Sequence, residues 1–243
     1  MPGIDPENSA PEGIRLNKYI ASSGVCSRRE ADHLIESGKV TVKGITADLG
    51  TRVKDGDTVA VDGKAVVPED NMIYIAFNKP LGITCTTDTR DPSNIIDYID
   101  FGERIFPVGR LDKNSSGLIL LTNNGDIVNR LLRSENGHEK EYVVTLNRPY
   151  DSTFIKTMSS GVPVLGRMTL KTEVFPVNQK TFRIILRQGM NRQIRRMCEY
   201  LGYRVTKLKR IRFINIRLGD LEPGKWRYLT ADEKKELLKG LSK

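Results

Sequence analysis

An α+β fold in two parts is what this sequence predicts. Three observations predict it. Helical periodicity is confined to a few stretches; short β patterns lie between them in irregular order; and the chain shows neither an internal repeat nor the regular strand–helix alternation of a doubly wound α/β sheet. At 243 residues, 38% of them hydrophobic, it can hold one large domain or two smaller ones with cores of their own.

Residues 1–13 are rich in Pro, Gly and acid and lack an apolar run, so they read as a disordered lead and not a signal peptide. Arg15 to Ser23 is helical in pattern, with Leu16, Tyr19 and Ile20 on one face and Gly24 as its stop. Ser27-Arg28-Arg29-Glu30 is a capping box, and the helix after it turns Ala31, Leu34 and Ile35 inward and ends at Gly38. Strand patterns follow at 40–42 and 58–61, separated by Gly- and Asp-rich turns. Residues 14–67 therefore form a first unit of two helices and a small sheet, and the polar, proline-bearing 68–71 form a linker.

The second unit is expected over 72–243. It opens with a strand at 72–77 and the turn Asn78-Lys79-Pro80-Leu81-Gly82. Residues 104–108 lead into a loop carrying Arg110, Leu111, Asp112 and Lys113, and the apolar strand 118–122 follows. A helix through Leu132, strands at 142–146, 170–175 and 182–186, a basic amphipathic helix, strands at 205–208 and 211–216, and a solvated helix over 231–243 complete it. Trp226 is expected in the core.

Residues 183–217 hold eleven Arg or Lys and one acid, Glu199, a local balance of +10 against +9 for the whole chain. Ile194, Met197, Cys198 and Leu201 recur at i, i+3, i+4 and i+7, which puts Arg192, Arg195, Arg196 and Glu199 on the opposite, outward face. A packed element presenting such charge suits a polyanion, nucleic acid first among them. Residues 14–67 balance nine bases against seven acids, so charge alone says little there. Three scattered cysteines without a CxxC pair disfavour a disulfide framework and a zinc site, and make a reducing, cytoplasmic compartment the default. With only His33 and His138, histidine catalysis or ligation has little to work with. Nothing approaches 18 consecutive apolar residues, so no membrane span is expected.

Asp112 stands between Arg110 and Lys113, just ahead of an apolar strand. An Asp in such a loop is most often a turn residue. Flanking cations nonetheless favour its ionised form, and a rigidly held carboxylate is a usable nucleophile or base.

The first unit resembles the S4 RNA-binding domain in Arg-Leu-Asn-Lys-Tyr-Ile, Ser-Arg-Arg-Glu-Ala-Asp, Gly-Lys-Val and Val-Lys-Asp-Gly-Asp. Further on, Lys79-Pro80-Leu81-Gly82, Gly109-Arg110-Leu111-Asp112, Glu139-Lys140-Glu141-Tyr142 and Gly189 to Met197 occur in order. Together they resemble the RsuA-type ribosomal RNA pseudouridine synthases over roughly residues 14–232. The run Asn191 to Glu199, His138, and Ser160 to Gly166 look most like the RluF branch, which acts on 23S ribosomal RNA.

The resemblance implies a mixed, largely antiparallel catalytic sheet and an enzyme that isomerises uridine in RNA without cofactor or metal; a monomer is expected. It implies Asp112 as the essential carboxylate, whether it attacks the ribose, attacks the base or removes a sugar proton. Tyr142 would stack on the uracil, although the strand pattern alone favours a core-facing Tyr. Arg195 would hold Asp112 through a two-point contact, with Arg192 as the fallback one turn away. Arg110 would fill the space left by the flipped base, since a stacked base exposes neither C1′ nor C5 adequately. Leu111, Lys113, Asn191, Arg192 and Gln193 would line the substrate, and Arg15, Arg28 and Arg29 would hold RNA on the first unit. Lys79 and Pro80 would brace the cleft. The competing readings are an RNA-binding assembly factor with a silent catalytic fold and a glycosylase that releases free base. The target uridine and any second tRNA substrate stay open.

Overall fold

The computed structural model describes residues 12–69, 71–132 and 137–240. They form two compact units that meet between Met72 and Ile73. The expected lead lies outside the described residues except for its end. There, Glu12 pairs with Lys54 at 3.0 Å and the Gly13 carbonyl accepts from Arg52 at 2.8 Å.

The first unit runs β1 (Ile14–Arg15), α1 (Leu16–Ser22), α2 (Arg28–Glu36), β2 (Val40–Val42), β3 (Ile45–Thr46), β4 (Arg52–Val53), β5 (Val59–Val61) and β6 (Lys64–Val66). Ser27 and Glu30 form the expected capping box, with the Glu30 N–H donating to Ser27 Oγ at 3.1 Å. Gly24 and Gly38 sit at φ +76° and +71°, the left-handed geometry that ends each helix. Asn17 donates to Asp32 at 2.8 Å and ties the helices together. Strands pair antiparallel in the order β3-β2-β5-β6, and β1 pairs with β4. Leu16, Ile20, Ala31, Ile35, Val40, Val53 and Val59 fill the core.

The second unit runs β7 (Tyr74–Lys79), α3 (Ile95–Ile99), β8 (Phe106–Val108), β9 (Ser116–Thr122), α4 (Gly125–Leu132), β10 (Lys140–Leu146), α5 (Ser152–Ser160), β11 (Pro163–Val164), β12 (Arg167–Met168), β13 (Glu173–Pro176), β14 (Thr181–Leu186), α6 (Gln193–Tyr200), β15 (Val205–Phe213), β16 (Ile216–Arg217), β17 (Trp226–Tyr228) and α7 (Ala231–Lys239). Its main sheet has the order β13-β14-β10-β15-β9-β7-β17, with β16 on β15 and β8 on β9. Every pair is antiparallel except β9 with β15, so the sheet is mixed and largely antiparallel. At that parallel seam Gly117 has φ +101°, and a Cβ there would collide with the Arg210 carbonyl. Only glycine lets the two strands come together at this point. β7 and most of β9 are buried, as their near-continuous apolar runs require.

Several expectations are corrected. The strand read at 205–208 and residues 211–213 of the next form one nine-residue strand, β15, because Lys209 and Arg210 stay in the ladder, and Ile216 begins β16. The register shifts between Glu141 and Tyr142, where Ile211 is skipped, and again between Thr145 and Leu146. Trp226 is not in the core: it is 37% exposed and packs edge-on against Phe101 at 4.9 Å. The basic helix starts only at Gln193, and Arg195 lies on its buried side, not its outward face. On the helix Arg195 stands only about 60° from Cys198, at the edge of the apolar stripe, and its guanidinium turns in to the Asn114 and Val205 carbonyls. Residues 241–243 of the expected last helix lie outside the described residues. No described helix is long and apolar enough to cross a membrane.

Candidate active site

A cleft of about 1040 Å³ opens in the second unit at the ends of β8, β10, β14 and β15, and Asp112 lines it. Asp112 belongs to the loop between β8 and β9, and nearly every residue of that loop is anchored. The Leu111 N–H donates to Cys85 Sγ at 3.3 Å. The Ser115 N–H closes a turn onto the Asp112 carbonyl at 2.9 Å, and the Gly82 N–H donates to the Lys113 carbonyl at 2.9 Å. Lys79 is wholly buried and donates to the Pro80 and Ile83 carbonyls, both at 2.8 Å, which fixes the turn that carries Gly82. Burial pushes the Lys79 ammonium below its ordinary pKa and the Cys85 thiol above its own. These contacts fix the backbone on either side of Asp112.

Two arginines approach it. Arg195 Nε lies 3.8 Å from Asp112 Oδ2 and Arg192 Nη1 lies 3.9 Å from the same oxygen. The expected two-point contact from Arg195 is absent, because both its Nη groups are spent elsewhere. Nη2 donates to the Asn114 carbonyl at 2.6 Å and Ser115 Oγ at 3.2 Å, and Nη1 to the Val205 carbonyl at 3.3 Å. Its buried Nε has no hydrogen-bond partner. Burial, and next the charge of Arg192, lower the Arg195 pKa from its ordinary very high value, with Asp112 opposing. Arg195 thus clamps the Asp112 loop to β15 and leaves one N–H on the carboxylate side. Arg192 is exposed and has no such clamp.

Tyr142 is half-buried on β10 between two apolar clusters, and it lines the cleft. Arg110, Leu111, Lys113, Asn191, Arg192 and Gln193 line it too. Arg110 is exposed, whereas Leu111 is buried. Lys113 donates to Ser93 Oγ at 2.9 Å. Gln193 is 4% exposed, and its Oε1 accepts from the Met190 N–H at 3.1 Å, which shapes the loop ahead of the helix. The Asn191 carbonyl accepts from Arg196 Nε at 3.1 Å. Arg15, Arg28 and Arg29 are exposed on the first unit.

The +10 stretch is less bare than its count. Arg183 and Arg212 bind Glu141 at 2.8 and 2.9 Å, and Arg187 and Arg212 bind Glu139 at 2.8 and 3.0 Å. Both acids lie outside the counted window, Glu141 on β10 and Glu139 just before it. Sequence reading missed Cys85 and Arg210 as cleft residues; neither sits in a pattern that marks it, since each reaches the cleft through strand pairing or a loop contact.

Residues 73–200 match the family described as RNA pseudouridylate synthase, and residues 14–59 match the S4 domain. The chain is 52% identical over 227 residues to the dual-specificity RNA pseudouridine synthase RluF of Salmonella typhi, covering 93% of this chain and 78% of that protein. It is 34% identical over 232 residues to ribosomal large subunit pseudouridine synthase B of Bacillus subtilis (strain 168), covering 92% and 95%. A crystal structure of a pseudouridylate synthase is similar with a TM-score of 0.68 at 26% identity, across 93% of this chain and 100% of that one.

Proposed function

The chain belongs to the RNA pseudouridylate synthase family, and from that premise we propose that it isomerises a specific uridine of 23S ribosomal RNA to pseudouridine. The single observation that carries the assignment to this cleft is an anchored carboxylate, Asp112, facing two arginines beside an aromatic ring. The reaction breaks the bond from N1 to C1′, turns the uracil, joins C5 to C1′ and moves one proton from C5 to N1. It needs no net oxidant or energy source. It does need the base out of its stack, a fixed carboxylate and an orienting surface.

In this reading Asp112 is the reacting carboxylate, Arg195 fixes the loop that carries it, and Tyr142 receives the uracil face. Arg110, exposed at the lip, takes the space the base vacates. The ribosomal target is supported by the name of the Bacillus subtilis relative, and a second RNA substrate by the dual specificity named for the Salmonella typhi one.

Pseudouridine mapping of ribosomal RNA and tRNA, with and without this gene, tests the substrate. Purified Asp112→Asn tests the site: turnover is lost and RNA affinity is nearly unchanged, because a neutral amide removes the reacting group but no phosphate contact. Substantial pseudouridine from that variant, or free uracil from the wild type, would sink the assignment.

A further inference from the structure

Two cations in the cleft wall meet no acid among the described residues. Lys140 and Arg210 both line the cleft, on β10 and β15. Arg210 is the direct cross-strand partner of Tyr142, and Lys140 stands two residues before Tyr142 on the same strand. Both lie over one ring: Lys140 Nζ is 5.7 Å and the Arg210 guanidinium 5.5 Å from the centre of Phe213. Their hydrogen bonds go to backbone carbonyls, from Lys140 Nζ to His138 at 3.2 Å and from Arg210 Nε to Leu118 at 2.6 Å. Among the described residues neither meets a carboxylate.

Three other arginines of this sheet differ. Arg183, Arg187 and Arg212, on or next to the same strands, each hold a glutamate. Arg210 is 3% exposed and Lys140 is half-buried, so both charges are partly stripped of water. Burial, and then repulsion from Arg210, hold Lys140 below its ordinary pKa. Placing two like charges together in a partly dry wall is unfavourable unless an anion completes the set.

We propose that Lys140 and Arg210 form a seat for one backbone phosphate of the RNA, the phosphodiester adjoining the flipped uridine. This rests on the reading of the cleft as the uridine site. A nucleotide whose base reaches Tyr142 brings its own phosphate with it, and the paired strands set the two cations beside that ring. A different role, stabilising negative charge on the uracil as its bond to C1′ breaks, would act on the chemical step and not on binding.

The test uses the full chain and a 23S ribosomal RNA fragment containing the mapped uridine, with Lys140→Gln and Lys140→Arg beside the wild type. Lys140→Gln should raise Kd and KM about tenfold or more, as expected for a lost charged hydrogen bond. It should flatten the log–log salt slope by about 0.7 and leave kcat within about threefold. Lys140→Arg should keep the slope. A fragment with a neutral methylphosphonate at one of the two phosphates flanking the uridine should bind the wild type as weakly as normal RNA binds Lys140→Gln. That change leaves the protein untouched, so it reads the seat even if the variant folds poorly. It should add nothing to the defect of Lys140→Gln. A loss confined to kcat, additive defects, or unchanged affinity throughout would overturn the seat. Failure of the wild type to make pseudouridine would instead sink the functional reading, while affinity and slope on the same RNA would still decide the phosphate contact.

Discussion

Arg192 and Arg195 stand almost equally close to Asp112 but in unlike surroundings, and that difference predicts different roles. Arg195 is buried and hydrogen-bonded to Asn114, Ser115 and Val205, so it fixes the loop that holds the carboxylate. Arg195→Ala should lower kcat at least about a hundredfold, since small misplacement of a reacting group has that effect. It should also lower Tm, because buried carbonyls lose their donors. Arg195→Lys should recover little of either, an ammonium being unable to span those carbonyls. Arg192→Ala should raise KM and spare Tm. Rates and melting curves of the three variants check this, and a Tm loss for Arg192→Ala alone would exchange the roles. That Asp112 and Tyr142 would share one cleft, with Arg195 close to the carboxylate, was legible because all three sit in motif runs. Cys85 and the Lys79 hydrogen bonds were not, because nothing local in the sequence says that a thiol will accept the Leu111 N–H or that a lysine will be wholly buried.

At the scale of elements, strands proved legible where one apolar run made one strand, as in β9, and illegible where charge interrupts the run, as in β15. Its charges are accommodated in different ways: Arg212 binds Glu139 and Glu141, just before and on β10, whereas Arg210 lies over Phe213 and donates to the Leu118 carbonyl. Glu139 shows how the pairing works. Hydrogen bonding from Arg187 first, and from Arg212 next, holds its carboxyl below the ordinary glutamate value, with burial opposing. A depressed folded-state value means stability that is present above the ordinary range and lost as pH falls through the depressed one. The wild type should therefore melt higher than Glu139→Gln at neutral pH, by no more than about 1 kcal/mol for so open a pair. The gap should close as pH falls below the ordinary glutamate range. Thermal melts from neutral pH into that acid range decide it, and a gap that persisted undiminished there would mean that the carboxylate charge is not the stabilising feature.

At the scale of the molecule, the two-part α+β architecture was readable because each unit has its own periodicity and caps. The distribution of charge was not, because counting along the chain cannot see Glu139 and Glu141 folding against Arg183, Arg187 and Arg212. Net charge therefore overstates the bare cationic surface of the second unit. On the first unit, Arg28 and Arg29 are exposed on α2, and an S4 domain is expected to hold RNA through phosphates, which position the protein without reading sequence. Each phosphate neutralised contributes about −0.7 to the slope of log K against log salt for single-stranded contacts. Replacing both arginines by alanine should then flatten the slope by about 1.4 if each meets a phosphate. Affinity should fall, while the modified uridine stays the same, because the cleft that selects it is untouched. A titration of ribosomal RNA binding across salt, followed by mapping of the product, measures both. An unchanged slope would remove this helix from the RNA surface. A changed site of modification would give the first unit a part in choosing the uridine, which phosphate contacts alone cannot supply.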